Sequence, residues 1–138
     1  MKLAIPTLAK VIEAEKYLKT LPQRELKVEH DFSFGVYARI LYIPRDTILT
    51  GKLHKYPQIN LLRQGDISVL VGDKVKRLKA PFVVASPAGT KRIAYTHSDT
   101  IWITIHKTDL RDLVQIEQTF IAQDEQEYLE FINEKLLR

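Results

Sequence analysis

Four side chains of this 138-residue chain have types and spacing suited to holding a small anion: His54, Tyr56, Asn60 and Arg92. Strand alternation places His54 and Tyr56 on one face of a strand, and Arg92 with Ala94 on one face of another. Turned inward, Arg92 would offer a planar fork of donors to a phosphate or carboxylate. Tyr56 and Asn60 would add neutral hydrogen bonds, and Trp102 or Tyr95 a stacking surface. Lys91, Lys52 and Arg63 would surround the mouth. The expected ligand-binding set is therefore His54, Tyr56, Asn60, Arg92, Trp102 and Lys91, with a nucleotide or sugar phosphate as the ligand class and no residue assigned to catalysis.

The stretch that carries these residues runs Gly51-Lys52-Leu53-His54-Lys55-Tyr56, then Asn60 and Gly65, then Ser86-Pro87-Ala88-Gly89-Thr90-Lys91-Arg92. It resembles the two motifs of the cupin superfamily: a glycine, two histidines, a glutamate and a second glycine, followed by Pro-x-Gly-x-x-His. The resemblance covers roughly residues 35 to 106. His54 keeps the first histidine position, while Tyr56 takes the second, Asn60 the glutamate and Arg92 the last histidine. Metal-binding cupins hold a divalent ion with three imidazoles and a carboxylate, which must converge within about 2.0–2.2 Å of the ion. An obligate cation at position 92 would repel a metal, and an amide at position 60 offers little compensation. The expectation is thus no metal and no cofactor, with His97 and His106 as the imidazoles that could restore one. Metal-independent sugar epimerases of this fold use histidine and tyrosine as base and acid, so His54 with Tyr56 leaves an enzyme reading open.

Elements that could position these residues follow from periodicity. Thr7 to Leu21 has a helical stripe at Leu8, Val11, Ile12 and Leu18, with Thr7 as a plausible N-cap and Pro22 as a stop. From Leu26 to Tyr42 the even positions are apolar apart from His30, and the odd positions carry Lys27, Glu29, Asp31, Ser33 and Arg39. That period-two pattern predicts strand with the even face inward, divided or bulged at Gly35. His30 is read as a packed histidine on that face. Val69 to Val75 reads as a hairpin turning on Gly72-Asp73, and Lys74, Lys76, Arg77 and Lys79 beside it protect a sheet edge. Strands are also predicted at Phe82 to Val84, Ile93 to Tyr95 and Ile101 to His106, with Trp102, Ile101, Ile103 and Ile105 taken as core. A short helix from Asp109 to Glu117, capped by Asp109, and a second after Asp124 with capping-box spacing to Glu127 complete the chain.

The fold class is accordingly mainly β: a cupin-like antiparallel β-barrel, or jelly roll, with an N-terminal helix and C-terminal helices. A single domain spans 1–138, divided into an N-terminal helix (1–24), the barrel (25–106) and a C-terminal helical extension (107–138). Hydrophobic residues make up 45% and charged residues 28% of the chain, which suits a folded domain. The absence of cysteine excludes a disulfide scaffold or a cysteine-ligated metal. The start of the chain lacks the apolar run of a signal peptide, no segment approaches the roughly 20 apolar residues of a membrane span, and a cytoplasmic location is expected. From Arg39 to Arg92 there are 11 basic and 3 acidic residues, a net of +8, whereas Asp109 to Arg138 holds 3 basic and 8 acidic, a net of −5. This asymmetry favours an anionic ligand or a self-complementary contact.

Three functions compete. The first is a metal-free cupin-like protein that binds a small anion in the barrel. The second is a cupin enzyme, either an isomerase or epimerase or a metal-dependent oxygenase. The third is a structural or interaction protein using the barrel as scaffold. The small size, eroded motif and helical extensions are similar to short cupin-like proteins of tailed bacteriophages, which implies a virion component or an accessory factor in the host cytoplasm. No recognised nucleic-acid motif accompanies the basic stretch, so nucleic acid is not an expected partner. A homodimer is expected: the cupin resemblance implies exchange or pairing of N-terminal strands, for which the chain has the long alternating run from Leu26 to Tyr42, and the acidic tail could also meet a partner's basic body.

Overall fold

The computed structural model of the protein describes residues 8–136. Helix α1 (Leu8–Leu18) leads into β1 (Lys27–Ser33), β2 (Val36–Ile43), β3 (Ile48–Thr50), β4 (Leu53–His54), β5 (Gln58–Gln64), β6 (Asp66–Val71), β7 (Lys74–Lys79), β8 (Phe82–Ser86), β9 (Ile93–Thr96) and β10 (Thr100–Lys107). Helix α2 (Leu113–Phe120), the short β11 (Ile121–Ala122) and α3 (Glu125–Leu136) follow. The architecture is the expected antiparallel jelly roll flanked by helices. The five-stranded sheet runs β1-β2-β10-β5-β8, the four-stranded sheet β3-β9-β6-β7, and β4 pairs with β11. Strand β11 falls inside the segment read as purely helical, so the C-terminal extension contributes to the barrel itself. The Thr7 cap lies outside the described residues.

One reading of parity is corrected. The two-residue turn at Phe34-Gly35 pairs Val28 with Leu41, His30 with Arg39 and Phe32 with Tyr37. Partners in an antiparallel ladder share a face, so the inward set is even on β1 but odd on β2. Tyr37, Arg39, Leu41 and Ile43 therefore point into the barrel, and Arg39 leaves the solvent face assigned to it by simple alternation. Strand β10 brings a second correction: its inward residues are Trp102, Thr104 and His106, so Ile101, Ile103 and Ile105 lie on the outer face of the sheet instead of in the core.

The main apolar core lies between the two sheets, where Leu62, Ile67, Val69, Val71, Leu78 and Val84 pack with Phe82, Ala94 and Trp102. A second cluster, Tyr37, Ile116, Phe120 and Ile121, joins α2 to the opposite end of the barrel. The β6–β7 hairpin turns as expected, but Gly72 alone supplies a positive φ (61°). Strand β7 is an edge, and its lysines and Arg77 are exposed. Helix α2 starts later than predicted, because Asp112 and not Asp109 accepts from the Gln115 amide at 2.9 Å. At α3, Asp124 accepts from the Glu127 amide, and the Glu127 carboxylate reaches back to the amide of Gln123. The expected capping pair is present, displaced by one residue on its return bond.

Candidate functional site

The two motif segments are joined through backbone. The Gly89 amide donates to the His54 carbonyl at 2.8 Å and the His54 amide to the Thr90 carbonyl at 3.1 Å, while the Gly51 amide donates to the Arg92 carbonyl at 2.8 Å. Two of the motif glycines, Gly89 and Gly65, are required by their backbone. Gly89 holds φ at +83°, and a Cβ there would sit 2.7 Å from the Tyr128 hydroxyl of α3; Gly65 holds +116°, where a Cβ would collide with Thr100.

These contacts frame a cavity of about 360 Å³ between the sheets, capped by α2. Its walls carry His54, Asn60, Arg92 and Trp102 of the predicted set, together with His30, Tyr37, Arg39, Lys52, His106 and Glu117. Leu41, Ile43, Leu49, Ile67 and Val69 supply an apolar lining. Tyr56 and Lys91 are not part of it. The chain leaves the strand after His54, so alternation stops and Tyr56 packs edge-on against Phe120 and Phe131 instead. Lys91 ion-pairs with Glu15 of α1 at 2.9 Å and donates to the Gly51 carbonyl, pinning the helix to the motif loop. Tyr95 bonds Asp46, and His97 lies 2.6 Å from the Ser68 hydroxyl, both away from the cavity. Arg63 is exposed on β5 and does not reach the mouth.

The cavity groups have distinct environments. Asn60 is engaged at both ends of its amide: its nitrogen donates to Ser86 (2.8 Å), and its oxygen accepts from Thr104 (2.9 Å) and the Trp102 indole (3.2 Å). It braces the wall. Lys52 holds both carboxylate oxygens of Glu117, at 2.7 and 2.8 Å, and so ties α2 to the loop between β3 and β4. His30 Nδ1 lies 2.7 Å from the Tyr37 hydroxyl. His54 and His106 stack with ring centroids 5.6 Å apart, and His106 also packs against Phe120 at 4.5 Å. The Nδ1 atoms of both histidines are buried without a hydrogen-bond partner.

Burial pushes His54 down to about 3, with His106, Arg39, Lys52 and Lys91 acting in the same direction. Burial likewise lowers His106 to about 4. Both rings are therefore neutral at pH 7. The charged wall residues are Arg39, Lys52 and Arg92 against Glu117 alone, three cations to one carboxylate, for a net of +2. Arg39 makes no hydrogen bond or ion pair among the described residues; it lies between His30 and Thr104 in the inward row of the sheet. Sequence parity concealed it, and the hairpin register of Phe34-Gly35 is the signal that reveals it.

No protein-family model and no curated sequence matches the chain, but solved structures resemble its fold. KdgF from Halomonas sp. aligns with a TM-score of 0.52 and 14% identity over 67% of this chain and 92% of its own. The cupin domain of Schizosaccharomyces pombe Cnp3 aligns with a TM-score of 0.51 and 18% identity, over 74% and 76%. The protein thus has the cupin fold, with the Pro-x-Gly turn intact and an arginine at the last motif position. At these identities the likeness speaks to the fold alone.

The metal set associated with that fold does not fit this site. Asn60 has spent its amide on three neighbours, Tyr56 is turned away, and Arg92 places a cation where an imidazole would stand. No three histidine, aspartate or glutamate side chains converge among the described residues, and His97 does not reach His54 and His106. No helix among those residues is long and apolar enough to cross a membrane.

Proposed function

We propose that the protein binds a small organic anion, a sugar phosphate or nucleoside monophosphate, in the barrel cavity without a metal. The observation that carries this reading is Arg39, a guanidinium facing a largely apolar cavity with no carboxylate of its own. Arg39 is partly buried, and a guanidinium presented to a cavity wall offers a planar fork of donors to an anion; Arg39 with Arg92 would hold a phosphate from two sides. The unpartnered imidazole nitrogens of His54 and His106 are hydrogen-bonding groups that ligand hydroxyls would satisfy. A volume of about 360 Å³ sits at the small end of the usual range for ligand pockets, which favours a monophosphate over a dinucleotide.

Proton transfer is the weaker reading. A base that titrates near 3 is poorly matched to catalysis at neutral pH, and Tyr56, its expected acid partner, lies outside the cavity. The test is thermal unfolding with inorganic phosphate, adenosine monophosphate, glucose 6-phosphate and acetate. Adenosine monophosphate or glucose 6-phosphate should raise the midpoint of the wild-type protein well beyond phosphate alone, and Arg39→Gln should abolish that increment. No selective shift with either phosphorylated compound would remove the proposal.

A further inference from the structure

We infer that Gln58 is the specificity-determining residue of the cavity and that it reads a sugar hydroxyl of the bound phosphate ester. The inference rests on the phosphate-binding reading above and adds to it what the ligand must carry beside its phosphate. Gln58 lies outside the set expected from the sequence, and its place follows from the ladders.

The inner face of the five-stranded sheet is zoned in rows. One row runs His30, Arg39, Thr104, Asn60 and Val84 across β1, β2, β10, β5 and β8. On one side of it lies the apolar row of Val28, Leu41, Trp102, Leu62 and Phe82. On the other side, Phe32 and Tyr37 lead to His106. One step past the Ile105–Ile59 pair, Gln58 stands opposite His106, with Ser86 beyond it. His54 stacks on His106 and joins this second polar zone. An anion at Arg39 therefore has an apolar wall on one side and a polar one on the other.

The polar zone is what the protein leaves unsatisfied. Gln58 and His106 are each 5% exposed, and both line the cavity. The Gln58 Oε1 and the Nδ1 atoms of His54 and His106 are buried with no hydrogen-bond partner. Asn60, two residues away on the same face, is bonded at both ends of its amide. Three unanswered atoms in one wall cost stability until a ligand meets them. An amide oxygen only accepts, so the ligand must donate to Gln58. The net charge of +2 opposes an ammonium donor. A hydroxyl is neutral, and it can also accept from or donate to the neutral imidazoles. Trp102 packs into the core and donates its indole to Asn60, so it leaves no free face for a nucleobase. The recognised group is thus a sugar ring. Adjacent rows lie two residues apart along the strands, about 7 Å, a separation that suits a phosphate and the ring hydroxyls of one ester.

Calorimetric titration of the full chain with adenosine monophosphate and with its dideoxy analogue, which lacks both ribose hydroxyls, tests the inference. Wild type should bind adenosine monophosphate at least about tenfold more tightly than the analogue. In Gln58→Leu that ratio should fall to within about twofold, whereas a merely structural defect would weaken both nucleotides alike and keep the ratio. If Gln58→Leu fails to fold, Gln58→Met, which keeps the length of the side chain without the amide, is measured instead. Equal affinity of the wild type for the two nucleotides overturns this inference and leaves the phosphate reading standing. Binding of neither removes that reading and the inference with it. A ratio that persists in the variant, or loss of both nucleotides there, overturns the role of Gln58.

Discussion

Lowering the pH from 7 to 5 should destabilise the protein through His54 and His106, and by a calculable amount. In the unfolded chain both imidazoles take a proton near the ordinary value of 6.5; in the fold they resist protonation down to about 3 and about 4. The unfolded state therefore binds more protons throughout this window, so stability is complete above pH 6.5 and falls as the pH drops toward the folded values. At pH 5 an unfolded histidine is almost fully protonated and a buried one almost fully neutral. Each ring then costs about 2 kcal/mol between pH 7 and pH 5 by the linkage relation. The value hardly changes if either folded pKa moves by half a unit, because both remain below the window. Urea unfolding at constant ionic strength, at both pH values, measures the loss directly. His54→Gln cannot titrate and should lose about 2 kcal/mol less than wild type over the same interval. The carboxylates held low by partners, Glu15, Asp66 and Glu127 among them, behave alike in both proteins and cancel in the difference. Equal losses in wild type and variant would refute the burial of an unpartnered neutral ring at position 54.

Two further outcomes follow from the cavity wall. Asn60→Ala should cost about 2–4 kcal/mol in urea unfolding, since it strands the Trp102 indole and two buried hydroxyls at once; a loss under about 1 kcal/mol would mean that these groups find other partners. Glu117→Gln should tighten adenosine monophosphate binding by about three- to tenfold in calorimetric titration, because it frees the Lys52 ammonium and raises the net cavity charge by one. Weaker binding would place Glu117 among the groups that contact the ligand.

Much of the barrel was legible because punctuation and alternation agree. Gly35, Gly72 and the Pro87-Ala88-Gly89 turn mark strand ends, and period-two patterns fill the segments between them. The site was legible where strand geometry persists around its residues: His54, Asn60, Arg92 and Trp102 reach the cavity. It failed where one local step changes the phase. A bend after His54 turns Tyr56 toward α3, and a two-residue turn moves Arg39 from the apparent solvent face to the interior. Lys91 was misplaced for a different reason, since its partner Glu15 lies 76 positions away and nothing local announces the pair. The isoleucines of β10 misled because hydrophobicity signals burial without naming what does the burying. On this strand the interior is the polar side.

Equilibrium dialysis of adenosine monophosphate against wild type and Arg39→Gln, in salt near physiological strength, tests the central claim most directly. The account predicts saturable one-to-one binding by the wild-type protein without added metal, unchanged by chelator and lost in the variant. Binding that requires a divalent ion, or that survives the loss of Arg39, would contradict it.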